Sequence, residues 1–446
     1  MNTPICDFID RYAGKNPIRL HMPGHKGAVL TGAEPYDITE IYGADVLYHS
    51  EGIIRESEDN AAALFGAART VYSAEGSSLS IRAMLYLALL YAKEMGREPI
   101  IAAGRNAHKS FMYAAAMLDL SVEWLYEDNG GIISCDIDPA ELEKKLASMD
   151  HLPCAVYITS PDYLGHIADV AGISRVCHKH GVLLLVDNAH GAYLNFLESS
   201  LHPMAHSADM CTDSAHKTLP VLTGGAYLHI SKNAPAMFSE QCERAMAMFA
   251  STSPSYLILR SLDAANAYMD GDWRSQLSKC AENVRRLSKS LGEIGYDIEY
   301  NEPLKINVKP KSVGYTGDGL AKCLSERGIV CEFSDPDNCV MMFTPELGDG
   351  VYSSVLKAFS EIAVRTPIKT LPPPAPIAVK AMSIREAMLA PSEVVSVKDS
   401  VGRVLADANV SCPPAIPILA CGERICEKFA ALFEYYAVDK VRVVKN

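Results

Sequence analysis

Missing from this sequence are a basic surplus, a paired-cysteine motif and a long uncharged apolar run, and each absence closes off a class of function. Lys and Arg number 41 against 54 Asp and Glu, for a formal net charge of −13. A nucleic-acid surface needs the opposite balance, whereas an acidic chain is compatible with a small cationic substrate. The 13 cysteines are scattered, and the closest two, Cys421 and Cys426, form no CxxC pair. They read as reduced, buried thiols, not as a disulfide frame or a zinc site. Met1 to Lys15 carries Asp7, Asp10 and Arg11 without an apolar core, so no signal peptide is expected there. The most apolar helical stretch, Ile81 to Met95, is interrupted by Arg82 and Lys93 and is too short to span a bilayer. A cytoplasmic protein with no membrane or nucleic-acid partner is expected. His21 and His25 stand at i, i+4, but Pro23 and Gly24 lie between them, so they do not share a helix face and no metal site is expected.

What is present reads as an α/β enzyme. A chain of 446 residues suggests two or three domains. Ala155–Thr159, Val182–Val186 and Gly225–Ile230 are short apolar runs rich in β-formers, and Ile173–His180 between the first two has helical spacing before Gly181. Apolar runs without alternation imply strands covered on both faces, hence a mostly parallel sheet flanked by helices. Ligands sit outside the carboxyl ends of such strands, where Asp187 follows Val186. A helix is expected over Trp273–Ile294, a strand at Cys339–Phe343, a stiff linker at the five prolines of Thr366–Pro376, and one helix near Glu423–Tyr436 in the tail. The expected division is 1–270 for the amino-terminal segment and large domain, 271–365 for a small α/β domain, 366–380 for the linker and 381–446 for an α+β tail domain. No internal repeat is evident.

Four short segments carry chemistry, each with an ordinary alternative. Gly76-Ser77-Ser78 opens the apolar helix and offers hydroxyls and amides to a phosphate, although Gly-Ser-Ser is also a common helix cap. His108, ahead of Phe111–Leu118, can stack on a flat ring or move a proton near pH 7. It can equally be structural. Asp187 at a strand end can hold a pyridinium nitrogen, with Ala189 small enough to let a ring lie against it, or it can cap a turn. Lys217, in Asp213-Ser-Ala-His-Lys-Thr-Leu219, can attack an aldehyde once burial eases loss of its proton, or it can be a surface lysine. The order of the four is the persuasive feature: phosphate loop, stacking histidine, strand-end aspartate, lysine.

With these residues in that order, the chain resembles the short form of the ornithine/lysine/arginine decarboxylase family, pyridoxal-phosphate enzymes of the aspartate-aminotransferase-like fold (fold type I). Leu20-His-Met-Pro-Gly-His-Lys-Gly27 is similar to the family's opening signature. Asp37–Glu40 with Gly52–Ile54, Ser251–Tyr256, Gly402-Arg403 and Pro413–Glu423 also fit. The resemblance implies that Lys217 holds pyridoxal 5'-phosphate as a Schiff base. It implies that Gly76, Ser77, Ser78, Ser214 and His216 support the phosphate and cofactor, and that His108 stacks on one ring face. Asp187 would pair with the ring nitrogen, Ala189 would pack on the opposite face with His190 beside it, and Asp162 would lie near the phenolic oxygen. Thr252 and Ser253 would act across the interface of a homodimer with a shared active site. Two departures stand out: Gly-Ser-Ser replaces Gly-Thr-Ser, and Ile81 occupies a position that the family fills with Asn. Because the chain begins directly at the catalytic region, no decamer is expected.

The implied activity is decarboxylation of a basic amino acid, arginine before lysine or ornithine, in polyamine metabolism, with Lys217, His108 and Asp187 catalytic. Glu423 and Asp45 are candidates to read the substrate head group. An aminotransferase or lyase on the same fold stays open, with Arg327 and Arg365 available to grip a carboxylate, as does a non-catalytic pyridoxal-phosphate binder.

Overall fold

The computed structural model describes residues 1–127, 132–408, 411–412 and 416–445. The chain forms two compact units, each assembled from separate stretches: Met1–Pro99, Leu142–Ser160 and Val170–Gln276 in the first, and Ile100–Glu141, Pro161–Asp169 and Leu277–Asn446 in the second.

The first unit is built on strands in the order Arg69–Ser73, Ala226–Ile230, Met210–Asp213, Leu183–Asp187, Ala155–Thr159. The last three run parallel, and Ala226–Ile230 is antiparallel to both neighbours. Leu183–Asp187 and Ala226–Ile230 are buried along their whole length, as unbroken apolar runs require. Two of these strands escape a reading by apolar runs. Arg69-Thr-Val-Tyr-Ser73 and Met210-Cys-Thr-Asp213 bury polar side chains that find partners inside. Arg69 pairs with Glu58 at 2.7 Å and Glu243 at 2.6 Å, Thr70 Oγ1 meets His229 Nδ1 at 2.8 Å, and Thr212 donates to the Tyr227 carbonyl at 3.0 Å. Buried polar groups persist only when so satisfied.

The helix Ser77–Glu94 opens at Gly76-Ser77-Ser78, as expected, and packs apolar residues on most of its circumference, Ile81 included at 1% exposure. The position that the family fills with Asn is therefore a core position here. Val170–Lys179 is helical, and Gly181 at φ +65° takes the left-handed conformation just beyond it. Residues 16–52 contain no helix or strand. This segment is held by side chains: Arg19 donates to the carbonyls of Glu34 and Pro35, and the Glu34 carboxylate accepts from Thr31 and Gly32.

The second unit contains a parallel pair, Ile100–Gly104 with Ser121–Leu125, and an antiparallel sheet ordered Phe333–Ser334, Cys339–Met342, Lys305–Lys309, Asp297–Glu302. Its carboxyl-terminal portion pairs Ser392–Ser396 with Lys440–Val444. Leu405, Phe429, Leu432, Phe433 and Val443 form a core there. The tail helix spans Glu427–Tyr435 instead of starting at Glu423, because the Glu423 carboxylate turns back to the Ala420 amide at 2.7 Å and to Arg105 at 3.2 Å. The expected helix at Trp273 spans Trp273–Glu293, and the proline-rich stretch has no regular structure. Pro413, Pro414 and Ala415 of the family-like tail segment lie outside the described residues. Among the described residues no helix is long and apolar enough to cross a membrane.

Candidate active site

Three strand ends and one helix start gather most of the expected side chains within the first unit. Asp187 is the last residue of its strand, one position nearer the sheet than the sequence suggests, and is 2% exposed. Its Oδ2 accepts from the Tyr157 hydroxyl at 3.0 Å and its Oδ1 from the Ala189 amide at 3.3 Å. Burial pushes the Asp187 carboxyl up, while the Lys217 charge and the Tyr157 hydrogen bond pull the other way. Tyr157 is fully buried, and its phenol is raised well above the usual range by burial and by Asp187, so it stays a donor.

Lys217 sits in the one-turn helix Ala215–Thr218, directly after the strand that ends at Asp213. The residue is half-buried, and its Nζ lies 3.0 Å from His190 Nε2. Ser214 donates to Ser77 Oγ at 2.7 Å, tying the lysine turn to the glycine-serine loop. Gly76 precedes the helix at φ +72°, ψ 178°, a conformation essentially confined to glycine. Its amide donates to the Gly224 carbonyl at 2.7 Å, and Ser77 and Ser78 form the helix amino terminus, where amide donors and the helix dipole favour an anion. His216 Nδ1 bonds the Gly225 carbonyl at 2.9 Å. Ser251 donates its amide to Glu75 at 2.7 Å, which holds this segment beside the same chain's own loop and leaves Thr252 and Ser253 exposed.

Below the lysine turn lies a network that sequence reasoning missed. Asp213 is completely buried and accepts from His202 at 3.0 Å, His229 at 3.2 Å and Asn188 at 2.6 Å. Burial alone would raise its carboxyl, but the two imidazoles bring it well below the usual range. His202, Cys211 and Asp213 are close enough together to hold an ion. Both imidazoles are, however, already committed, His202 Nδ1 to the Met204 amide and His229 Nδ1 to Thr70. The cluster therefore reads as a hydrogen-bonded support for residues 187–188 and 213–214.

His108 and Asp162 belong to the second unit. His108 caps the helix Lys109–Leu118, its Nδ1 accepting from the Ser110 amide at 3.1 Å, which leaves Nε2 as the proton-bearing nitrogen of the neutral ring. Asp162 is buried and accepts from the Leu164 and His166 amides at 2.9 Å. It also pairs with His166 Nδ1 at 3.1 Å. Hydrogen bonds to Asp162 and then Glu299 raise His166 to about 10.

The two head-group candidates are engaged elsewhere. Asp45 accepts from the amides of Val46, Glu51, Gly52 and Ile54 at 2.9–3.1 Å, and so fastens the start of the helix Ile53–Phe65. Glu423 is 3% exposed and paired with Arg105. Arg327 donates to the Cys323 carbonyl at 2.8 Å, and Arg365 lies over the Tyr315 ring at 4.3 Å. The histidines of the opening signature are separate: His21 bonds Tyr12, and His25 pairs with Asp37 at 3.2 Å.

Comparison with known proteins identifies the family. Residues 3–309 match the family model described as Orn/Lys/Arg decarboxylase, major domain. The chain is 32% identical to an arginine decarboxylase of Halalkalibacterium halodurans over 95% of this chain and 91% of that protein. It is 29% identical to an arginine decarboxylase of Bacillus subtilis, over 96% and 92%. The constitutive lysine decarboxylase of E. coli superposes with a TM-score of 0.79 at 19% identity, covering 100% of this chain and 82% of that one, a likeness of fold. A carboxylate kept at a strand end, a glycine-only loop at a helix start and a half-buried lysine fit pyridoxal phosphate. The chain belongs to the Orn/Lys/Arg decarboxylase family and is a fold type I amino-acid decarboxylase with pyridoxal phosphate as its cofactor.

Proposed function

We propose that the protein removes CO2 from arginine in preference to lysine or ornithine, in the cytoplasm and in service of polyamine metabolism, as a homodimer with a shared active site. The observation that carries the reading is the gathering of Lys217, His190, Asp187, Ser77 and Ser214 at the carboxyl ends of the strands Leu183–Asp187 and Met210–Asp213. The names of the 32% and 29% identical relatives support arginine. Apolar side chains in the irregular amino-terminal segment support a second copy: Ile18, Leu20 and Leu30 are 90%, 92% and 82% exposed. Where such side chains form one continuous patch, they mark an interaction surface. Twelve of the thirteen cysteines, all but Cys412, are free thiols, as in a reducing compartment. The domain division 1–270, 271–365, 366–380 and 381–446 is part of the same proposal.

Pyridoxal phosphate, when bound, supplies an aldehyde for the substrate amine and a ring that withdraws the electrons left when CO2 departs. Lys217 would hold it, with Asp187 on the ring nitrogen and Ser77, Ser78, Ser214 and His216 at the phosphate. Ala189 and His108 would lie against the two ring faces, Asp162 would serve near the phenolic oxygen, and Thr252 and Ser253 would reach the partner's phosphate. His190, hydrogen-bonded to Nζ, takes up the proton that the Lys217 amine must lose to act as a nucleophile. Tyr157 keeps one oxygen of Asp187 hydrogen-bonded, which favours the anion that a protonated ring nitrogen needs. Lys217 or His108 then delivers the proton that replaces the lost carboxyl group at Cα.

The test offers arginine, lysine and ornithine separately to the cofactor-loaded protein and measures CO2 and amine. Arginine should give both at the highest rate, and Lys217→Ala should give neither. A 2-oxo acid appearing in place of CO2 would transfer the protein to the aminotransferase reading, and silence with a bound cofactor would make it a non-catalytic binder.

A further inference from the structure

Two cysteines of the second unit stand apart from the rest. Cys339 opens the strand Cys339–Met342, and Cys331 lies just before the strand Phe333–Ser334 that pairs with it. The Cys339 thiol donates to Cys331 Sγ at 3.5 Å. Cys6, Cys135, Cys242 and Cys421 instead spend their thiols on backbone carbonyls, and Cys280 accepts from Tyr352. The two members of the pair also differ in access. Cys339 is buried, whereas Cys331 is partly exposed on a groove of about 450 Å³ shared with Ile329, Val330, Met341 and Phe343. The hydrogen bond from Cys339 favours the Cys331 thiolate and lowers its pKa, against the effect of burial. The same bond, then burial, raises Cys339. Asp318 and Asp335 add to that rise, so the charge is steered to the accessible sulfur.

We propose that Cys331 and Cys339 form a site of reversible oxidative modification, in which a hydroperoxide closes the pair to a disulfide. The Cys331 thiolate attacks one peroxide oxygen. The O–O bond breaks, an S–O bond forms, and the leaving hydroxide or alkoxide takes a proton. Cys339 then attacks the oxidised sulfur. The S–O bond breaks, the S–S bond forms, and the Cys339 proton leaves with the hydroxide as water. Each sulfur gives up one electron overall, and the peroxide takes both. Access and thiolate character select the attacking cysteine, and a partner thiol already in contact makes the second step intramolecular. A thiol reductant reverses the change.

The experiment treats the full-length protein with hydrogen peroxide, alkylates remaining thiols under denaturing conditions and maps the peptides. Both cysteines fall in one tryptic peptide, Gly328–Lys357, which contains no internal Lys or Arg. The expected result is loss of two hydrogens from that peptide, neither cysteine alkylated, and recovery of both thiols with dithiothreitol. Cleavage at Asp335 and Asp337 should leave two fragments joined by the bond. In Cys339→Ser, dimedone should trap Cys331 as its sulfenic acid, and in Cys331→Ser, Cys339 should remain alkylatable. The proposal falls if both thiols survive a dose that oxidises the exposed Cys426, or if Cys331 pairs with any other cysteine.

Discussion

Replacing Tyr157 by Phe removes one hydroxyl from a fully buried ring and leaves its bulk in place, so it takes away the hydrogen bond to Asp187. That carboxylate is itself buried and keeps the Ala189 amide as a second donor. Burial already disfavours its anion. A hydrogen bond to a charged group contributes about 1.5–3 kcal/mol. If that energy is expressed in the anion that holds the ring nitrogen protonated, its loss slows turnover roughly ten- to hundredfold. The sign for pH follows from the same balance. Without the Tyr157 donor, Asp187 takes up a proton more readily, so the acid limb of the kcat profile should move to higher pH. KM should change little, because the proposed site puts Tyr157 behind Asp187 and not among the substrate contacts. The assay is kcat and KM for CO2 release across the acid range, with bound cofactor measured by absorbance at each pH. An unmoved acid limb with kcat within twofold of the parent, at full cofactor occupancy, would falsify the coupling between Tyr157 and Asp187.

Three further perturbations have defined outcomes. Asp187→Asn should retain cofactor yet lose roughly 10²–10³-fold in kcat, the scale of removing one charge from a buried pair; an unimpaired enzyme would remove Asp187 from the chemistry. An added Cβ in Gly76→Ala meets no protein atom within 4 Å, so within the protein its effect is that of the φ +72° backbone, worth about 1–3 kcal/mol. Cofactor titration should show binding weakened by roughly tenfold or more, and unchanged affinity would show that the loop tolerates a side chain. His166, raised to about 10 by Asp162 and then Glu299, contributes stability that is complete below its unfolded value near 6.5 and lost as pH rises through about 10. The unfolding midpoint should therefore fall over that window, and His166→Gln should flatten the slope; an equally steep loss in the variant would place the titration elsewhere.

How much of this site was legible beforehand depends on what kind of fact each residue expresses. Lys217, Asp187 and Gly76 were readable because their side chains, or the lack of one, sit where the main chain changes element: past a strand, at a strand end, ahead of a helix. The strands themselves were readable where burial on both faces demanded unbroken apolar runs, as in Leu183–Asp187. Arg69–Ser73 and Met210–Asp213 were not, since their buried polar residues are satisfied by partners distant in sequence, such as Glu243 and Tyr227. Tyr157 was hidden for the same reason, although a signal existed. In the parallel register Thr159 stands beside Asp187 and Tyr157 beside Leu185, so Tyr157 lies on the same sheet face as Asp187, two residues back. Pairing the two strands before assigning roles would have found it. Asp213 shows the limit of that approach. Its position before Ser214 was visible, but its partners His202 and His229 come from a turn and a neighbouring strand, and no spacing rule links them. Chemistry-bearing residues are thus announced by local backbone context. The groups that set their charge are fixed by strand register and burial, and these are properties of the folded sheet and not of any single segment.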